Sequence, residues 1–274
     1  MTNWLTVERG EAPLVVSIPH AGLELPAQLE RRLVSPWLGR KDADWRVDRL
    51  YDFAATVGAT IVRTAISRTV IDVNRDPSGA SLYPGQATTS LCPTETFDGE
   101  PLWRPGEAPD EAQIAERRVL WFAPYHQALG AEIERLRGMH RRVVVYDAHS
   151  IRSRIPRLFA GELPVFNIGT YDGRSCDPEL ASAVDVICRG GGEPTVVNGR
   201  FKGGWTTRAY GAPERGVHAI QMELACRAYM AEPQNPSEAN WPGPWDEARA
   251  GPIRAVLRDV LAACLDFAGS LTAA

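Results

Sequence analysis

The chain has 274 residues, of which 44% are hydrophobic and 23% are charged, and its net charge at pH 7 is −4. This composition is ordinary for a soluble globular protein. The slight acidic excess argues against the basic surface that nucleic-acid-binding domains and membrane-surface proteins usually carry. We therefore expect neither nucleic acid nor a membrane as a partner, whereas the oligomeric state cannot be read from the sequence.

The length suits one α/β domain, and we expect residues 1–274 to form a single domain. No apolar run reaches the roughly 18 residues that a transmembrane helix needs, and Met1–Trp4 lacks the basic and apolar regions of a signal peptide. Five cysteines are scattered along the chain without a CxxC pair. This usage favours reduced thiols and a cytoplasmic protein over a disulfide framework.

Short runs rich in β-branched residues predict seven strands. In chain order they are Pro13–Ile18, Thr60–Arg63, Thr69–Val73, Arg142–Asp147, Val165–Ile168, Pro194–Val197 and Val217–Met222. Apolar residues at helical spacing predict four helices. These are Asp44–Val57, Asp110 to about Arg137 with a kink or division at Pro124, Asp177–Cys188 and Glu247–Phe267. Alternating strands and helices predict a three-layer α/β fold with a mainly parallel sheet covered by helices on both faces.

Three long segments rich in turn-forming residues separate these elements: Asp76–Pro109, Gly190–Gly216 and Ala231–Asp246. Irregular segments of this length within one domain are usually functional. We expect them to form lids or pocket walls.

Two histidines follow strands that lie far apart in the sequence. His20 comes just after the first predicted strand, and His149 comes just after the fourth. Ligands of open α/β sheets collect at the carboxyl ends of the strands, and catalytic zinc commonly has three protein ligands and one open position. We expect both histidines to face one cleft as two zinc ligands, with hydrogen-bonded structural histidines as the alternative.

The third ligand should be an acidic residue, and spacing leaves three candidates open. Asp44 begins a predicted helix, Asp48 lies one turn further on, and Glu24 follows His20 on the same loop. Each has an ordinary alternative role. Asp44 could be a helix N-cap, Asp48 a surface charge, and Glu24 a residue that complements a helix dipole.

Two groups of basic residues suit an anionic substrate. Arg68 and Arg75 flank the predicted strand Thr69–Val73, and a bend there would bring them around one pocket. The Asn74–Arg75 pair offers an amide and a bidentate guanidinium, which suit a carboxylate. Arg152 and Arg154 follow His149 in a positive patch that favours a small, multiply anionic substrate. Salt bridges at the protein surface are the alternative for each of these arginines.

Glu223 follows the apolar part of the last predicted strand. Burying a carboxylate is costly, so a glutamate here is expected to have a purpose. It could act as a general base towards a metal-activated water, or it could form a salt bridge with a neighbouring arginine. No HExxH motif and no glycine-rich phosphate loop occurs in the sequence, which excludes those classes of site.

Six motifs in this order resemble the N-formylglutamate amidohydrolase family, over about residues 12 to 265. They are Ser17–Gly22, Asp44–Trp45 with Leu50–Asp52, Ser67–Arg68 with Val70–Arg75, Asp147–Ser153, Asn198–Gly204 and Ala219–Leu224. That family looks related to zinc carboxypeptidases and aspartoacylases. The resemblance implies a zinc-carboxypeptidase-like (phosphorylase/hydrolase-like) fold with a mixed sheet. The related carboxypeptidases place an acidic ligand three residues after the first histidine, where this chain has Leu23, so the resemblance points to Asp44 rather than Glu24.

The resemblance also implies an activity, the zinc-dependent hydrolysis of N-formyl-L-glutamate to formate and glutamate at the end of a histidine degradation route. One Zn²⁺ per chain would be held by His20, Asp44 and His149, with other divalent metals as alternatives. Glu223 would be the acid–base residue, and Arg68 would stabilise the oxyanion. The substrate carboxylates would be bound by Asn74 and Arg75 at one end and by Arg152 or Arg154, with Lys202 or Arg208, at the other. A deacylase of another N-formyl or N-acetyl amino acid, such as aspartate, is the second hypothesis, and a non-catalytic metal- or ligand-binding protein is the third.

Overall fold

A single seven-stranded sheet forms the centre of the computed structural model, which describes residues 4–270. The strands are β1 (Leu5–Glu8), β2 (Leu14–Ile18), β3 (Thr60–Thr64), β4 (Val143–Ile151), β5 (Phe166–Gly169), β6 (Thr195–Val197) and β7 (Val217–Ala225). Their order across the sheet is β1-β3-β2-β4-β7-β5-β6.

Eight α-helices surround the sheet within the described range. They are α1 (Ala27–Glu30), α2 (Leu38–Lys41), α3 (Val47–Leu50), α4 (Glu111–Arg117), α5 (Ala123–Arg137), α6 (Pro178–Gly190), α7 (Trp205–Tyr210) and α8 (Glu247–Gly269). Short 3-10 helices span Asp52–Val57, Pro213–Arg215 and Cys226–Ala228, and a π-helical turn at Arg118–Phe122 joins α4 to α5.

The sheet is mixed but mainly parallel, as predicted. Strands β3, β2, β4 and β7 run parallel to one another. At one edge β1 pairs antiparallel with β3, and on the other side β5 pairs antiparallel with β7 and parallel with β6. Consequently the carboxyl ends of β2, β4 and β7 lie side by side.

Helices cover both faces of the sheet, so the predicted three-layer architecture is confirmed. Side chains of successive strand residues point to opposite faces. In β4, Val143 and Val145 pack with α5 in one apolar cluster, whereas Val144 and Tyr146 pack with α6 and α8 in the other. Because both faces are buried, these strands are apolar along most of their length.

One predicted strand, Thr69–Val73, is wrong, because this segment forms turns. Its β-branched residues suit a strand, but local hydrogen bonds to the side chains of Ser67 and Asp72 compete with sheet pairing. The amide of Thr69 donates to Ser67 Oγ at 3.2 Å, and the amide of Asn74 donates to Asp72 Oδ1 at 2.9 Å. This is the bend that brings Arg68 and Arg75 together.

Other differences concern where elements begin and end. Edge strand β1 has no counterpart among the predicted strands, and the predicted helix Asp44–Val57 is instead α3 followed by a 3-10 helix. The long helix predicted from Asp110 divides near Pro124. Pro124 lies in the first turn of α5, directly after the π-helical turn. It has no N–H to donate to the preceding turn, so the hydrogen-bond pattern of the helix changes beside it.

None of the helices within residues 4–270 is both long enough and apolar enough to cross a lipid bilayer.

Candidate metal centre and substrate pocket

His20 and His149 meet at the carboxyl ends of β2 and β4, as the sequence predicts. His20 lies two residues beyond β2, and His149 lies in the last third of β4. Their ring centroids are 4.8 Å apart, and both side chains are buried. Two residues separated by 129 positions in the sequence therefore present their rings to one point.

Asp44 completes a group that we call the His–Asp cluster (His20, Asp44 and His149). Its backbone amide donates a hydrogen bond to the carbonyl oxygen of His20 at 2.9 Å, which fixes the loop before α3 against the end of β2. Oδ2 of Asp44 lies 2.9 Å from His149 Nδ1 and 3.7 Å from His20 Nδ1. The candidate ligand atoms of the three residues all lie within 4.8 Å of one another. Glu24 and Asp48, the other two candidates for the third ligand, are solvent-exposed outside this group.

Outer carboxylates orient both imidazoles. Nε2 of His20 lies 2.7 Å from Asp72 Oδ1, and Nε2 of His149 lies 3.1 Å from Asp147 Oδ2. This arrangement turns both Nδ1 atoms towards Asp44. Carboxylates behind histidine ligands are a usual feature of protein metal sites, where they fix ring orientation.

One buried atom tests whether the cluster suits a metal. Nδ1 of His20 has no hydrogen-bond partner among the described residues. An unmade hydrogen bond at a buried polar atom is costly, and a metal ion would use this nitrogen lone pair. Two imidazoles and one carboxylate form a donor set that suits Zn²⁺ and leaves a coordination position open. The residues present therefore fit a divalent cation.

The charges of the cluster stabilise one another. Burial opposes the ionised form of Asp44, but the adjacent His20 and His149 hold the pKa of its carboxyl below the ordinary value. Burial likewise opposes the charged form of His149, but Asp147 and Asp44 raise the pKa of its imidazole well above the ordinary value. The carboxylates thus provide a strongly anionic surrounding that would favour a bound cation.

Glu223 lies on β7 directly beside His149, with which it is paired in the parallel register. Burial raises the pKa of Glu223 to about 8, and the neighbouring carboxylates Asp44 and Asp147 also act to raise it. Gln221 Nε2 donates to Glu223 Oε2 at 3.3 Å. A buried carboxyl group with a raised pKa next to the His–Asp cluster suits general acid–base chemistry.

Arg68 and Arg75 meet around one carboxylate because the segment between them turns. Asp72 Oδ2 lies 2.7 Å from Arg68 Nη2 and 3.7 Å from Arg75 Nε. Nη1 of Arg68 lies 3.5 Å from Asp44 Oδ1, so this guanidinium borders the His–Asp cluster. Both arginines line the same pocket as His20, His149 and Glu223.

Asn74 also lines this pocket, but its amide already has partners. Nδ2 lies 3.0 Å from Asp147 Oδ2 and 2.8 Å from His149 Nε2, and Oδ1 accepts from the backbone amide of Thr206 at 2.7 Å. The side chain has two N–H groups to donate. Asn74 therefore contacts both Asp147 and His149 and braces His149 in this structure.

The pocket has two different sides. Strand-end residues form one side. The other side comes from irregular segments, and we call it the loop wall: Tyr83, Ala87, Thr88, Thr89, Leu158, Arg200 and Phe201. Two of the three long segments predicted to form lids or walls, 76–109 and 190–216, contribute to it.

Four arginine and lysine residues predicted to bind substrate lie outside the pocket lining. Arg152 is buried, with Nη2 2.7 Å from Asp98 Oδ2 and 3.3 Å from Asp42 Oδ1. Arg154 is exposed and its Nη2 lies 2.5 Å from Glu162 Oε2. Both follow His149 closely in sequence, but their guanidinium groups pair with acidic residues outside the pocket lining.

Lys202 and Arg208 are also directed elsewhere. Nζ of Lys202 lies 3.0 Å from Asp172 Oδ1 near the surface. Nε of Arg208 donates to the carbonyl oxygen of Gly203 at 2.9 Å, and its guanidinium stacks over Tyr171 and Tyr83. The substrate contacts predicted for these four residues therefore have no geometric support in this structure.

Sequence reasoning missed three residues of the site. Asp147 precedes His149 by two positions on one strand, and this spacing places both side chains on the same face, so it could have been found. Asp72 and Arg200 carried a weaker signal, because turns place them. Arg200 follows Asn198, which has a left-handed backbone with φ of 51°.

Gly204 allows the loop and the strands to approach closely. Its amide donates to Gln221 Oε1 at 2.7 Å. A Cβ atom at this position would lie 2.4 Å from Asn74 Nδ2. Only glycine fits here without displacing the amide that braces His149.

Comparison with known proteins gives a consistent result. A sequence model of the N-formylglutamate amidohydrolase family matches residues 12–230. Proteins named N-formylglutamate deformylase from Pseudomonas putida and Pseudomonas aeruginosa are each 43% identical to this chain, over 97% of the chain and 97% of each relative. The crystal structure of N-formylglutamate amidohydrolase from Ralstonia eutropha JMP134 has the same fold, with a TM-score of 0.76 at 24% identity over 97% of this chain and 98% of that one. This chain therefore belongs to the N-formylglutamate amidohydrolase family, and it is a hydrolase that acts on an amide C–N bond.

Proposed function

We propose that this protein hydrolyses the formyl amide of N-formyl-L-glutamate to formate and L-glutamate. The observation that carries the proposal is the buried His–Asp cluster with Glu223 beside it, opening into a pocket that contains several guanidinium groups. The names of the two Pseudomonas relatives support this choice of substrate.

One Zn²⁺ per chain is the proposed cofactor, held by His20, Asp44 and His149, and other divalent metals also suit this donor set. When bound, the ion would lower the pKa of a water ligand towards neutrality and polarise the formyl carbonyl.

Glu223 is the proposed acid–base residue. It would take a proton from the attacking water and deliver it to the leaving nitrogen, so that a C–O bond forms as the C–N bond breaks. Burial raises the pKa of this carboxyl above its ordinary value, which favours delivery of the proton to the leaving nitrogen. Glu223 is available for this role because it is not one of the three cluster residues.

Arginines would bind the charged parts of the substrate and of the transition state. Arg68 borders the cluster at 3.5 Å from Asp44, and it would donate to the developing oxyanion, an interaction worth about 3–4 kcal/mol per donor. Arg75 would bind the α-carboxylate with the N–H groups that it does not already donate to Thr89 and Asn74. Asn74 would keep His149 in place.

The cellular role follows from the proposed products. Formate and glutamate fit the last step of a histidine degradation route, and the protein would act in the cytoplasm. The five buried free cysteines are compatible with that compartment,.

Release of the free amino acid from a panel of acyl amino acids tests the proposal, because every member yields its amino acid whichever acyl group it loses. The panel contains the N-formyl and N-acetyl derivatives of glutamate, aspartate and glutamine, each assayed before and after treatment with a chelator and after addition of Zn²⁺. We expect N-formyl-L-glutamate to give the highest kcat/KM, activity to be lost with the chelator, and Zn²⁺ to restore it. A preference for an aspartate derivative would favour a sister deacylase. Bound zinc without hydrolysis of any member would favour a non-catalytic protein.

A further inference from the structure

Arg200 is an arginine of the loop wall whose hydrogen bonds are with neutral groups. Its Nε donates to the carbonyl oxygen of Leu158 at 2.8 Å, and its Nη2 donates to the carbonyl oxygen of Ala87 at 2.7 Å. These contacts fix the direction of the guanidinium and leave Nη1 without a hydrogen bond to the described residues. Unlike Arg68, Arg200 takes part in none of the ion pairs found within residues 4–270.

The surroundings of Arg200 offset the cost of burying its charge only in part. Burial lowers the pKa of the Arg200 guanidinium and the positive charge of Arg75 lowers it further, whereas Tyr83 and Glu223 act to raise it without forming an ion pair with it. By contrast, Asp42 and Asp98 raise the pKa of the buried Arg152 above its ordinary value. A partly buried cation without a carboxylate partner is costly, and an anionic ligand would remove that cost.

Contacts place Arg200 further from the His–Asp cluster than Arg75. Arg75 adjoins Asn74, which touches His149, and it lies 3.7 Å from Asp72, which holds His20. Arg200 instead contacts Ala87 and Leu158 and lies over the rings of Tyr83 and Phe201, with ring distances of 5.4 and 5.2 Å. Both guanidinium groups line the pocket. Of these two arginines, Arg75 lies beside a carboxylate that holds a cluster histidine, whereas the contacts of Arg200 are with the loop wall.

We infer that Arg200 is the specificity-determining residue that binds the side-chain carboxylate of an acyl dicarboxylic amino acid. The inference rests on the proposed function and extends it. Arg75 binds the α-carboxylate beside the scissile amide, and Arg200 binds the second carboxylate at the far end. Arg200 therefore takes the role that the sequence assigned to Arg152, Arg154, Lys202 or Arg208.

Kinetics with two substrates of nearly equal shape test the inference. N-formyl-L-glutamate and N-formyl-L-glutamine differ in the charge of the side chain and little in size. For the wild-type enzyme we expect kcat/KM to favour the glutamate by roughly 100-fold or more, since a charged partner is lost with the amide. In Arg200→Gln this ratio should fall to within a few fold, mostly through a higher KM for N-formyl-L-glutamate, while turnover of N-formyl-L-glutamine changes little. Arg200→Lys, which keeps the charge without the planar fork, should recover part of the ratio.

Arg189→Gln is the matched control, because Arg189 is an exposed arginine of α6 paired with Asp185. It should keep the wild-type ratio. Binding of the product L-glutamate, measured by calorimetry, gives a readout that does not require turnover, and its Kd should rise in Arg200→Gln.

Two results would overturn the inference. One is an unchanged ratio in Arg200→Gln, and the other is an equal loss of both substrates, which would indicate a role in folding or in shaping the pocket. Failure of the proposed function would give a different result, because the wild-type protein itself would then release no formate from either compound.

Discussion

The His–Asp cluster and the loop wall are two sides of one pocket that are built in different ways. Cluster side chains are held by carboxylates and by each other, from residues at the ends of strands β2 and β4 and at the start of α3. In the loop wall, Arg200 holds its position through the backbone carbonyl oxygens of Leu158 and Ala87.

This difference suggests that the two sides of the pocket have different tasks, one in catalysis and the other in the choice of substrate. Strand ends fixed by the sheet suit groups whose relative positions must be accurate, since small misplacements are costly to catalysis. Loops tolerate changes of sequence and length more easily than strands do. The His–Asp cluster should therefore govern kcat, and the loop wall should govern which acyl amino acid binds.

The largest expected effect is on kcat, and it concerns Glu223→Gln, at the side of the pocket formed by the strand ends. The amide keeps the shape of the side chain but cannot accept the proton, so kcat should fall by roughly 10³-fold. KM for N-formyl-L-glutamate should change little, because Glu223 is not assigned to substrate binding. Steady-state formate release measures both constants. Glu193→Gln, at an exposed position, is the control, and near-wild-type turnover of Glu223→Gln would remove it from the acid–base role.

A second prediction concerns a substitution that weakens the attachment of segment 76–109, which contributes to the loop wall, without changing the His–Asp cluster. Nζ of Lys41 is buried, lies 2.6 Å from Asp98 Oδ2 and also bonds Glu100, so it ties segment 76–109 to α2. Lys41→Met leaves Glu100 without its cation and leaves Asp98 paired with Arg152 alone. The free energy of unfolding should fall by about 2–3 kcal/mol, less than for a fully buried pair because both carboxylates are partly exposed. Urea unfolding measures this change.

The same variant should raise KM while leaving kcat nearly unchanged, because Thr88 and Thr89 of the loop wall belong to the segment that Lys41 holds. The control is Arg189→Met, which breaks an exposed ion pair and should lower the free energy of unfolding by no more than about 0.5 kcal/mol. A fall of kcat in Lys41→Met without a change of KM would contradict the division of roles between the His–Asp cluster and the loop wall.

A third effect concerns the outer carboxylate of His149. Asp147→Asn keeps the size of the side chain but removes the charge 3.1 Å from His149 Nε2. Zn²⁺ affinity, measured by competition with a chromogenic chelator, should fall by about 10–100-fold. Thermal unfolding of the metal-free protein separates this effect from a loss of stability. Unchanged affinity would mean that the carboxylate does not orient the imidazole for metal binding.

A fourth effect is a pH dependence of stability located at His126 of α5. Nε2 of His126 lies 2.8 Å from the carbonyl oxygen of Val73, and burial lowers the pKa of this imidazole from 6.5 to about 4. The unfolded chain therefore binds a proton at a higher pH than the folded protein does. The contribution of His126 to the free energy of unfolding is fully present above pH 6.5 and is lost as the pH falls towards 4.

Between pH 7 and pH 5, protonation of His126 should lower the free energy of unfolding by about 1–2 kcal/mol, a figure that allows for partial exposure of the ring. His126→Gln should lack this part of the acid sensitivity, and urea midpoints at the two pH values give the comparison. An identical pH dependence in both proteins would show that the imidazole does not carry it.

The smallest effect is expected for Arg154→Ala. Arg154 is exposed and pairs with Glu162, so we expect kcat/KM within twofold of wild type and a stability change within about 0.5 kcal/mol. A KM increase of tenfold or more would restore Arg154 as a substrate-binding residue and would require segment 151–163 to move on binding.

Sequence patterns predicted the parts of the molecule that have a regular period. The apolar strands, the three layers and the positions of His20 and His149 at strand ends all follow from period and order along the chain. In the segment around Asp72 the β-branched residues indicated a strand, whereas hydrogen bonds to short polar side chains produce a turn. Composition alone could not decide between these two outcomes.

The loop wall was less predictable, because its residues come together through tertiary contacts. Arg152 and Arg154 were assigned to substrate on the strength of their nearness to His149 in sequence. Arg200 is far from His149 in sequence, and a turn after β6 brings it into the pocket. Nearness along an irregular segment is therefore a poor guide to nearness in space.

The tight packing at Gly204 has a consequence for attempts to redesign this enzyme. Any larger residue there would push on Asn74 and so shift the imidazole of His149, which position 204 does not itself touch. Diversity introduced for new substrates is best confined to positions 197–201 and 83–89, upstream of this fixed anchor. Libraries that cross into 203–204 should yield many inactive clones even when the new pocket has the desired shape.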